Sequence, residues 1–213
     1  MGPSIVMIGS ARSRYGSAVR RVVSVLVGVL LCASLAGCVR ETAGAATSPE
    51  APATEVPLPP RPRDIDIRGV DPCSLLTSTQ RAELGLDAEP AYDVQVSPLF
   101  EGPEPACTVG GSGLREVAVG VALPYDGLGV DAFAASRVRA DVTVIEVRGM
   151  PAVLAEPPEQ LRLCSVVIDL GPGQAMNVQY RDGGGRPTVP QDDLCTGAIA
   201  VAGSAMDTLL SNN

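Results

Sequence analysis

The sequence of 213 residues contains no histidine. That absence removes the Ser-His-Asp and Cys-His nucleophile systems, His-ligated zinc and imidazole general bases. Tryptophan is also missing, and the aromatics reduce to four tyrosines and two phenylalanines. There is no lysine, so all 16 cationic side chains are arginine. Four of them (Arg12, Arg14, Arg20, Arg21) precede Cys38 and no acidic residue does, which leaves 12 arginines against 24 carboxylates after it, a formal charge of −12. A nucleic-acid-binding surface needs the opposite balance, so that partner class is excluded. Abundant Ala, Gly and Pro with Arg in place of Lys point to a GC-rich genome.

What is present begins with a leader. Residues 1–21 carry the four arginines, and 22–35 are almost wholly apolar. That apolar run is about 14 residues, short of the roughly 20 that a membrane span needs, and matches the h-region of a signal peptide. Leu35-Ala36-Gly37-Cys38 follows and resembles the bacterial lipobox, which is cleaved before a cysteine that then receives a diacylglyceryl group. Cys32 is no rival, because bulky Leu31 precedes it. The expectation is a signal peptide over 1–37 and lipidation at Cys38, with the protein on the extracytoplasmic face of the cell membrane. Stable anchoring follows when two or more acyl chains insert, each CH₂ contributing about 0.8 kcal/mol. Met1 and Met7 both serve as candidate starts.

Residues 38–70 are dominated by Pro, Ala, Thr and Glu without an apolar period. Such composition cannot bury enough surface to fold, and its prolines favour extended chain. The reading is a disordered tether, with at most a short lead-in strand over 65–67. Asp64-Ile65-Asp66 with Gly69 faintly resembles the start of a calcium loop, but the position that needs Glu is Leu75.

The remaining stretch, 71–213, is about 140 residues, enough for one core. Asp71-Pro72 starts a helical turn. Thr77 with Gln80 forms a capping box for a helix over 78–84 that Gly85 ends. Strands are expected over 92–96, 106–109 and 117–123, the last two joined as a hairpin through Gly110-Gly111-Ser112-Gly113. A helix is expected over 131–139, then strands over 142–147, 152–155, 161–170 and 174–180. A final helix, capped by Asp192 or Asp193, runs to about residue 210 with Leu194, Ala198, Val201, Ala202, Ala205 and Leu209 on one face. Short antiparallel connections with helices between groups of strands give an α+β fold, an antiparallel sheet with helices packed on it.

Four cysteines lie in this domain: Cys73, Cys107, Cys164 and Cys195. Outside the cytoplasm an even set reads as two disulfides, for which three pairings exist. Cys73–Cys107 and Cys164–Cys195 are favoured, because each ties a helix start to a neighbouring strand. Metal or redox chemistry is not expected, since there is no C-x-x-C, no histidine and no paired ligand spacing.

Asp71-Pro72-Cys73 followed by Leu75-Leu76-Thr77 resembles the opening of the actinobacterial lipoprotein family called domain of unknown function 3558. Cys107, Cys164 in a valine-rich strand, the Gly171-Pro172-Gly173-Gln174 turn and Asp193-Leu194-Cys195 at the last helix extend the likeness over roughly 70–211. The chain departs from it at Val109, where an aromatic often follows the second cysteine. The resemblance implies a lipid-anchored envelope domain with paired disulfides, and no enzyme activity. More distantly, the pattern is similar to extracytoplasmic sensor domains of mycobacterial kinases.

Candidate chemistry is sparse. Gly110–Gly113 lacks the Gly-x-Ser-x-Gly spacing because residue 114 is Leu, and Gly171-Pro172-Gly173 lacks the third dinucleotide-site glycine because residue 176 is Met. Glu156 with Glu159, and Asp192 with Asp193, are the carboxylate pairs that glycan cleavage would use. The first flanks Pro157-Pro158, and the second sits where a helix start favours acid. The sequence therefore points to a non-catalytic, lipid-anchored envelope module without metal or cofactor. Its candidate partners, besides the membrane, are a small ligand, a cell-wall fragment or another envelope protein. The alternative is a carboxylate-dependent enzyme acting on envelope polymers.

Overall fold

Local sequence signals nucleate the first helical elements. In the computed structural model, which describes residues 57–113, 116–134 and 138–213, Asp71 accepts a hydrogen bond from the Cys73 amide at 2.9 Å and caps a 3₁₀ turn over Pro72–Ser74. Thr77 then caps α1, Ser78–Glu83. The Gln80 amide donates to Thr77 Oγ1 at 3.2 Å, and the Thr77 amide donates to Gln80 Oε1 at 2.8 Å, which satisfies two orphan donors reciprocally. Gly85 takes φ +70°, the left-handed conformation that ends a helix at least cost in glycine.

Seven strands follow: β1 Ala91–Val96, β2 Pro103–Gly111, β3 Val117–Ala122, β4 Asp141–Val147, β5 Met150–Glu156, β6 Leu163–Gly171 and β7 Gln174–Asp182. They form one antiparallel sheet in the order β1-β2-β3-β7-β6-β5-β4. The chain leaves β3, crosses to the far edge at β4 and returns by hairpins until β7 closes against β3. On the way it forms α2, Asp131–Ala134. The expected helix to residue 139 is described only over that first turn; 135–137 lie outside the described residues, and Val138 packs beneath the sheet and not in a helix.

The last helix, α3 Gln191–Ser211, lies on β6 and β7. Its stripe of Leu194, Ala198, Val201, Ala202, Ala205 and Leu209 is buried against Cys164, Val166, Ile168, Leu170, Met176 and Val178. By length and composition α3 could cross a membrane, but half of its apolar window is inside the fold, which accounts for that hydropathy. Neither Asp192 nor Asp193 caps it. The helix begins at Gln191 behind Pro190 with no side-chain cap, and the two aspartates fall in the first turn, where they complement the helix dipole. Helix and sheet meet closely at Gly197, where a Cβ would lie 2.8 Å from the Tyr180 ring.

The two disulfides are Cys73–Cys107, with Cα atoms 5.0 Å apart, and Cys164–Cys195, with Cα atoms 4.9 Å apart. The first ties the 3₁₀ turn to β2 and the second ties α3 to β6, the favoured pairing.

One boundary moves. The tether was expected to reach residue 70, but from 57 onward the chain lies on the domain. Ile65 and Ile67 are buried in the helix-side core. The Ile65 amide donates to the Leu170 carbonyl at 2.7 Å, and the Ile67 amide to Gln174 Oε1 at 2.9 Å. Arg61 pairs with Asp169 at 2.5 Å and with Asp64 at 2.9 Å. Proline-rich composition hides two isoleucines spaced to drop into one face.

Candidate functional site

The face of the sheet away from α3 is covered over half its width. Val153, Ala155, Val167 and Ala175 of β5–β7 pack under Phe100, Val130, Ala132 and Phe133. The chain's two phenylalanines meet there with ring centroids 5.9 Å apart. Over β2, β3 and the second half of β7 no element among the described residues covers the sheet. Here the alternation places small and polar residues outward: Ala106 and Thr108 on β2, Gly120 and Ala122 on β3, Asn177, Gln179 and Arg181 on β7.

The end of β1 and the following loop, Gln95 to Phe100, rise beside this floor and turn it into a cavity of about 450 Å³. That volume lies in the range of small-molecule sites, roughly 300–1,000 Å³. A Cβ built on Gly120 meets no atom within 4 Å, so the floor there opens into free space.

The polar groups of the cavity are unusual. Glu104 reaches in from β2, and burial pushes its carboxyl above the usual carboxylate range, although Ser97 and Asn177 side chains hydrogen-bond to it and oppose the rise. Asn177 is 3% exposed, and its Oδ1 is buried with no hydrogen-bond partner. A buried unsatisfied acceptor costs on the order of 1–3 kcal/mol, and is tolerated where it serves something else. Arg181, on the rim, enters no ion pair among the described residues. Glu104 and Arg181 are the two charged side chains that line the cavity, one of each sign.

Other depressions carry less. One, about 920 Å³, lies between the 57–64 segment and the β6–β7 turn, but its Arg61 is already spent on Asp64 and Asp169. Burial holds the Asp169 carboxyl up despite that arginine. A third, about 560 Å³, brings Glu156 and Asp192 together with Asp141 and Arg139. Two of the four carboxylates singled out in the sequence thus share a depression, while Asp193 is not among its lining residues.

The remaining motifs resolve structurally. Gly110 and Gly111 end β2, and Ser112 is tied to Asp87 by two bonds, its amide at 2.8 Å and its Oγ at 2.6 Å, which pull the Asp87 carboxyl down. Gly173 takes φ +67° in the β6–β7 turn. Asp64 and Asp66 pair with Arg61 and Arg68, and no group of potential metal ligands gathers among the described residues. Cys38 lies outside the described residues.

Sequence reasoning missed the open-face cavity because its floor is assembled from β2, β3 and β7, which are not consecutive. The available signal was that the outward face of 175–181 reads Ala-Asn-Gln-Arg, neither apolar nor a solvated charge pattern. No curated protein and no solved structure matches the chain. The family described as "Protein of unknown function (DUF3558)" matches residues 33–208, which is most of the sequence. The chain therefore belongs to the DUF3558 family.

Proposed function

We propose that this protein is a lipid-anchored lipoprotein of the actinobacterial cell envelope whose domain binds a small polar ligand without catalysing its conversion. In this reading Cys38 carries the lipid, residues 39–56 form the tether, and the domain stands on the extracytoplasmic face. Two disulfides support export, since such bonds persist in oxidising compartments. The lipobox at Leu35–Cys38 supports the anchor.

One observation carries the binding reading. The uncovered part of the sheet is a concave floor of Ala, Gly and Thr that ends on a desolvated Glu104 and an unsatisfied Asn177. A merely solvated face has no reason to bury such groups. The test is calorimetric titration of the full-length protein in detergent micelles with a library of sugars, amino acids and short peptides. At least one class should saturate on the wild type and fail on Gly120→Val, which fills the floor. A library that leaves the wild type silent would end this reading. For the anchor, Cys38→Ala should leave the membrane fraction apart from unprocessed precursor.

A second reading rests on Glu156 and Asp192 lining one depression: a carboxylate-dependent enzyme on envelope polymers. It requires hydrolysis that is lost in both Glu156→Gln and Asp192→Asn.

A further inference from the structure

The open-face cavity has opposite charges at its two ends, and neither meets a counter-charge among the described residues. Glu104 is turned inward beside Asn177, and the groups that act on its carboxyl are Ser97 and Asn177, with no guanidinium among them. Asn177 donates toward Glu104 and keeps a spare acceptor, so this end offers acceptors in excess and lacks a cationic donor among the described residues. Arg181 stands at the other end with five donors and no carboxylate among the described residues. Thr108 and Gln179 line the length between, Gln95 stands opposite Glu104 at its end, and Leu99 and Phe100 supply an apolar wall.

The span follows from register. Ala106, Ala122 and Asn177 lie side by side across β2, β3 and β7, and Arg181 is four residues beyond Asn177 on the same face. At about 3.4 Å per residue that is roughly 14 Å between the two Cα atoms. An extended peptide covers about 3.3–3.6 Å per residue, so two to four residues bridge the ends once the arginine side chain leans inward.

Resting on the small-ligand reading above, we infer that the cavity takes a short zwitterionic peptide, its terminal ammonium between Glu104 and Asn177 and its terminal carboxylate on Arg181. The ammonium supplies the cationic donor that this end lacks and a counter-charge for Glu104. The carboxylate matches the planar fork of the guanidinium. The Ala and Gly floor leaves room for small side chains in between.

The experiment titrates the full-length protein in micelles with trialanine, N-acetyl-trialanine and trialanine amide, and with di- and tetra-alanine for length. Trialanine saturates; removing either terminal charge weakens binding tenfold or more. Glu104→Gln weakens trialanine tenfold or more and leaves the acetylated peptide unchanged. Arg181→Ala does the same for trialanine against its amide. Binding of trialanine fades as acid protonates Glu104, the one carboxylate among the lining residues. Equal binding of all three trialanine forms, or indifference to Glu104→Gln, overturns the zwitterion assignment while leaving cavity binding intact if Gly120→Val still abolishes it. Silence from every alanine peptide also overturns it, and the wider library then judges the small-ligand reading separately.

Discussion

On the helix side of the sheet, α3 packs on buried apolar residues of β6 and β7, with the half-buried Tyr180 ring against Gly197, and a disulfide fixes the helix to β6. On the opposite side, over β2, β3 and β7, the same strands turn out Thr108, Gly120, Asn177, Gln179 and Arg181 with no element above them among the described residues. Both faces belong to one antiparallel ladder, so backbone pairing cannot account for the contrast. The difference lies in what each face is satisfied by. Leu194, Met206 and Leu209 satisfy the first from within the chain. The second retains an unpartnered acceptor and a desolvated carboxyl that meets hydroxyl and amide donors but no guanidinium among the described residues.

If the helix-side face alone holds the fold, damage there should be severe. The largest effect is expected from a chain beginning at Asp71, which loses Ile65 and Ile67 from that core. Burying an isoleucine contributes about 1.5–3 kcal/mol, so the loss should be roughly 3–6 kcal/mol relative to a chain that includes residue 57. Denaturant unfolding measures it, and a difference under about 1 kcal/mol would return 57–70 to the tether. Next is Ile168→Ala, which leaves a void beneath α3 and should cost about 2–5 kcal/mol with peptide affinity unchanged in the folded fraction.

The capping box, the alternation of 117–123, the α3 stripe and both disulfides were legible because each depends on residues within a few positions of one another or on cysteine alone. The start of β2 was not. Pro103 and Pro105 argue against a strand, yet their carbonyls still accept from the Tyr125 and Leu123 amides, so the ladder continues through them. The expected strand over 106–109 therefore starts too late to include Glu104, which lies in β2. Asn177 was visible only as one residue of a strand, because its neighbours Ala106 and Ala122 are set by a β3–β7 pairing over 50 residues apart in sequence.

Acid sharpens the contrast between the faces. On the helix side, a hydrogen bond from the Gly184 amide, with Arg162, holds the Asp182 carboxyl below its ordinary range, and Arg148 does so for Asp207 through bonds of 2.6 and 2.7 Å. Lowered carboxyls bind protons less readily folded than unfolded. Their stabilisation is present above the ordinary carboxylate range and is lost as pH falls through their folded values. Glu104 has the reverse sign: its raised carboxyl favours the folded state at low pH and loses that contribution as pH rises through its folded value. Asp207→Asn should therefore reduce stability at neutral pH and make acid unfolding less steep. Glu104→Gln should leave neutral stability equal or higher and steepen the rise of stability with pH. Thermal melts of both variants across pH 3–7 check the two signs.

The smallest effect on stability is expected at Gly120. Its Cβ position is empty and valine suits a strand, so Gly120→Val should unfold within about 1 kcal/mol of wild type. This same substitution tests the central claim most directly, because it separates the fold from the open face. Titrated with trialanine beside the wild type, Gly120→Val should melt within a few degrees of it and show no binding where the wild type saturates. Saturation of both proteins with equal affinity would contradict the account and leave the open face as solvent-exposed sheet.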